Sequence, residues 1–134
     1  MSEKKVGVLS CSGEEFLGGT LARLATRKVM RELRPGKVVT LCLPLYIAGG
    51  EEEREFAKNF PVISVDGCGK LCAKRATQKF SGDVKDEIDI VKIIGQNTAL
   101  SPKASARYLN EEHFKMVDKI AQAICEKVDK ILSE

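Results

Sequence analysis

Apolar and polar positions alternate in blocks along this chain. Three runs rich in β-branched or apolar residues each end at a turn: Lys5–Ser10 (KVGVLS), Lys37–Cys42 (KVVTLC) and Pro61–Asp66 (PVISVD). A fourth, Ile88–Ile94 (IDIVKII), has the same character. Short, nearly continuous apolar runs predict strands buried on both faces of a sheet. Helical spacing takes over between them. Leu21, Ala22, Ala25, Val29 and Leu33 share one face, with Gly36 beyond the expected helix end. Glu51–Asn59 predicts a short, highly charged helix with Phe56 and Ala57 inward, and Leu71–Lys79 another, closed by Ser81-Gly82. Gly95–Asn110 is the least regular stretch, and Ser101-Pro102 there predicts a cap opening a short helix. Asn110 reads as the cap of a last helix reaching about Leu132, its stripe built from Val117, Ile120, Ile124, Val128 and Ile131.

Strand followed by helix, four times over, predicts an α/β fold. The expectation is a single domain over residues 1–134, with a mostly parallel sheet of four strands or slightly more. Helices should cover both faces in Rossmann- or flavodoxin-like layering. No internal repeat, low-complexity tract or linker interrupts it.

Composition narrows the function. At 134 residues, 43% hydrophobic and 31% charged, the chain has the balance of a soluble globular protein. Its 22 Lys+Arg against 19 Asp+Glu give a net charge of only +3, and it has no Trp. That argues against a nucleic-acid partner, which wants a concentrated basic face and stacking aromatics. No apolar run approaches a membrane span, and none behind Lys4-Lys5 is long enough for a signal peptide. The expectation is therefore a cytoplasmic protein without membrane contact, its partner an unidentified small molecule or protein.

In a reducing compartment, five cysteines read as metal-binding or catalytic before they read as disulfides. Cys11 falls just after the first expected strand, Cys42 at the end of the second and Cys68 just after the third. Open α/β sheets bind ligands outside the carboxyl ends of their strands, so three of the thiols are expected on one edge. Cys72, four residues after Cys68 and placed on the same helix, is expected to share an ion with it. Four thiols there suit a tetrahedral site for one zinc ion, with iron the competing metal. A helix opened by Gly67-Cys68-Gly69 would favour the Cys68 thiolate. Lys70, Lys74 and Arg75 would offset the negative charge, whereas Glu14, Glu15 and Asp66 would add to it. Cys125, inside the last helix, reads as a core residue.

These residues resemble the DGC-domain family: Asp66-Gly67-Cys68 with Cys72 four positions on, preceded by Cys11-Ser12-Gly13 and by Cys42. The similarity spans roughly Val6 to Ile94. It implies zinc binding through four recurring cysteines, which carry over to Cys11, Cys42, Cys68 and Cys72, and it implies no particular reaction.

Other motifs give way on inspection. Gly13–Thr20 has the spacing of a phosphate loop, but Gly19 stands where lysine is needed and two glutamates lie inside. A phosphatase loop needs arginine six residues after Cys11, where this chain has Leu17. His113, the one histidine, is expected to be solvent-exposed in the first turn of the last helix. Arg23, Arg27, Arg31 and Arg34 form a basic stripe that reads as a solvated face, with a pure interaction module ranked last. The main rival is a thiol-based redox or sulfur-transfer enzyme, with Cys68 as nucleophile and Cys72 or Cys11 resolving it.

Overall fold

The two central apolar runs become strands because both of their faces are sheltered. The computed structural model describes residues 5–11, 13, 15–102 and 108–134. It places β1 at Val6–Ser10, β2 at Val38–Thr40, β3 at Val62–Asp66 and β4 at Asp86–Asp89. All pair in parallel in the order β2-β1-β3-β4. β3 is buried at every position and β1 at all but its last.

Seven α-helices surround the sheet among the described residues: α1 (Leu17–Lys28), α2 (Leu43–Ala48), α3 (Glu51–Asn59), α4 (Cys72–Phe80), α5 (Ile90–Ile94), α6 (Gln96–Ala99) and α7 (Glu111–Leu132). From β1 the chain moves to one side to reach β2, and from β3 to the other side to reach β4. Right-handed crossovers therefore put α1 and α4 on opposite faces. The packing agrees, because α1 lies against α7 while α2, α3 and α4 contact one another. The Phe56 ring of α3 lies over Gly7 of β1, where even a Cβ would come within 2.5 Å of it.

Past Lys28, α1 widens into a π-type segment, Val29–Leu33, ended by the Arg34 N–H donating to the Val29 carbonyl at 2.8 Å. Arg34 then forks onto Asp129 of α7 at 2.8 and 2.7 Å. That guanidinium holds the Asp129 carboxyl below its usual range. The stability it contributes is present above the ordinary Asp range and is lost as pH falls through the depressed value. Asp129→Asn should flatten that part of the acid limb in urea titrations run against pH.

Two of these elements differ from expectation, and one helix has no counterpart in the sequence pattern. The run Ile88–Ile94 is not one strand: β4 stops at Asp89, whose carboxylate accepts the Val91 N–H at 3.1 Å and starts α5. Ile90 is fully buried and its apolar neighbours are packed against the core, so the run is apolar as a buried helix rather than as a strand. α2, at Leu43–Ala48, was not foreseen. His113 is only 9% exposed. It closes a capping box in which its N–H donates to Asn110 Oδ1 and its Nδ1 accepts the Asn110 N–H, both at 3.1 Å. The short helix expected after Ser101-Pro102 falls mostly at 103–107, outside the described residues. No helix among the described residues is long and apolar enough to cross a membrane.

Candidate metal centre

The strand ends carry the cysteines. Cys11 directly follows β1, Cys42 lies two residues past β2 and Cys68 two past β3. Because these three strands are parallel neighbours, all three residues belong to the carboxyl edge. β1 and β3 also flank the point where strand order reverses, the usual ligand crevice of an open α/β sheet. Cys72 is the first residue of α4. Cys125 is buried in α7 as part of the core.

The four are unequal. Cys11 is 5% exposed, Cys68 is half-buried, and Cys42 and Cys72 are exposed. Burial pushes the Cys11 thiol up, hydrogen bonds from the backbone of Gly13 and Gly67 act against that, and the nearby Asp66 and Cys68 raise it further. Cys42 precedes α2, and its N–H donates to Glu53 Oε2 at 2.8 Å. Among the described residues no three or more His, Cys, Asp or Glu side chains stand together as a metal-holding group.

The Cys68 segment departs from the expected geometry. Gly67-Cys68-Gly69 does not open a helix, because α4 begins only at Cys72. Cys68 and Cys72 therefore do not share a helical face. Gly69 has φ +83°, and Leu71 adopts the left-handed conformation at φ 58°. The donors at the start of α4 are also taken. The Asp66 carboxylate accepts the Ala73 N–H at 2.7 Å and the Lys74 N–H at 3.2 Å. Lys74 itself pairs with Glu87 at 2.9 Å, so its charge is shared.

Asp66, expected only to add negative charge at this edge, also caps α4. It is 1% exposed, and burial raises its carboxyl above the usual range while the two N–H bonds lower it. The signal was present: an Asp at a strand end, then a glycine-flanked turn, then a helix without a polar residue at its cap. The glycines of the discarded phosphate loop have another use as well. Gly18 and Gly19, at the start of α1, meet Gly67 and Gly13 backbone to backbone. Of the basic stripe, Arg23 reaches the Gly13 carbonyl at 2.8 Å and Arg34 is paired with Asp129, so only part of it forms a solvated face.

Fold and edge together define an open, parallel α/β protein with cysteines at its switch point. The DGC domain model matches residues 7–126, and the chain belongs to the DGC domain family. That match runs past Ile94 into α7, farther than the motif residues alone reached. Searches of curated proteins and of solved structures returned no match.

Proposed function

We propose that this protein binds one zinc ion through Cys11, Cys42, Cys68 and Cys72. The supporting observation is that three of the four follow the carboxyl ends of three adjacent parallel strands while the fourth opens α4. The donor set suits the ion, since zinc and iron are the metals that four thiolates select. Cys42 and Cys72 are exposed, so ligation would draw them in toward Cys11 and Cys68. A closed shell of four thiolates makes zinc a structural or regulatory cross-link, and releasing one ligand would open a Lewis-acid position. The reading assumes a reducing compartment such as the cytoplasm, where thiols stay available.

A thiol redox or sulfur-transfer role is the second reading. Cys68 would be the nucleophile, with Cys72, at the start of α4, or Cys11, after the adjacent strand β1, resolving it.

Anaerobically purified protein, assayed for metals and free thiols, separates the two. About one zinc per chain is expected in the native protein, none in Cys68→Ser. Cys125→Ala should keep its zinc and lose only about 1 kcal/mol of stability. Metal-free protein with all five thiols titrating would overturn the zinc reading, and a reversible dithiol couple in that protein would support the second.

A further inference from the structure

We infer that Asp66 is the positioning residue for Cys68 and Cys72, holding the segment that carries both thiols without serving as a ligand. Helix caps are ordinarily supplied by the residue at the helix boundary. For α4 that residue is Leu71, which makes no side-chain cap. The cap comes instead from Asp66, the last residue of β3. Its two bonds tie the strand end to the second and third residues of α4, closing a ring of backbone. Cys68 and Cys72 both lie within that ring.

The ring also fixes the unusual backbone between the thiols. The left-handed conformation is strained for a residue with a side chain, and Leu71 is the one non-glycine residue at positive φ among those described. The Asp66 clamp holds that turn closed. Both carboxylate oxygens are engaged, one with each N–H, and the group is buried, which leaves it poorly placed to bind metal. Aspartate is required because two acceptors face two donors. Asparagine would turn an NH2 group toward one of the N–H groups.

The inference rests on the zinc reading only where it concerns affinity. Asp66→Ala and Asp66→Asn are compared with the native protein in two ways. On reduced, metal-free protein, iodoacetamide alkylation is followed peptide by peptide. Alkylation of Cys68 should accelerate severalfold in Asp66→Ala and less in Asp66→Asn, with Cys125, buried in α7, unchanged. On reconstituted protein, competition with a chromophoric chelator should show zinc held about tenfold more weakly or worse, as when the partners of ligating residues are removed. A merely structural loss would speed the buried Cys125 as well, and that pattern overturns the inference, as do native rates and affinity in both variants. If Asp66→Ala does not fold, Asp66→Asn, which keeps one acceptor, decides alone. If the native protein binds no zinc, the metal reading fails while the alkylation rates still test Asp66.

Discussion

Gly67→Ala is expected to destabilise the protein by about 3 kcal/mol or more, enough to leave much of it unfolded. A Cβ at this position would lie 2.5 Å from both the Gly18 carbonyl oxygen and the Gly19 amide nitrogen. Both are backbone atoms of the first turn of α1, so no flexible side-chain end can swing aside. α1 cannot retreat easily either, since its Leu17 N–H is tied to the Ser101 carbonyl at 2.7 Å. The contrast is Gly69→Ala, where the nearest atom is a Val91 methyl at 3.7 Å and the strain lies only in a φ of +83°. That variant should lose about 1 kcal/mol. Urea denaturation of both variants checks the difference. Equal losses would show that the contact between α1 and the β3 loop is not what makes Gly67 necessary.

Tyr46→Ala should cost about 3–5 kcal/mol, the range for emptying a buried aromatic site. Tyr46 is completely buried although α2 carries it near the carboxyl edge. Its hydroxyl is hydrogen-bonded to that of Thr77 in α4 at 3.3 Å, and its carbonyl accepts from Arg54 Nε at 2.7 Å. Tyr46→Phe keeps the ring and should lose only about 1 kcal/mol. The side chain thus pins the helix after Cys42 to the helix that begins with Cys72. Chemical denaturation gives the stability difference, and a Tyr46→Ala variant as stable as Tyr46→Phe would refute the packing role.

What could be read in advance follows from periodicity. β1 and β3 stood out because central parallel strands are apolar on both faces, β2 because its short run is β-branched, and the placement of Cys11, Cys42 and Cys68 followed from those strand ends. α7 was legible from its stripe and from Asn110. Ile88–Ile94 misled because a short apolar run looks alike as a buried strand or a buried helix. α2 was invisible for the opposite reason: Tyr46 is its single buried residue, and one residue has no period. The Cys68 turn and the Asp66 cap depend on a carboxylate reaching over the intervening loop, which no local spacing encodes. His113 was misjudged because the ring serves the backbone at Asn110 rather than solvent.

The sheet also bears on how the molecule behaves in a crowd of its own copies. Its two outer strands are β2, three residues long, and β4, which reads Asp-Glu-Ile-Asp. A long, flat, apolar outer strand invites another chain to add on by hydrogen bonding, the first step of sheet-driven aggregation. Here one border is too short to template a partner. The other is lined with carboxylates, Asp86 held by Lys127 at 2.9 Å and Glu87 by Lys74 at 2.9 Å. The apolar centre of the sheet is thereby kept from growing past its fourth strand, and the thiol-bearing edge lies at the strand ends, at right angles to the direction in which such growth would run.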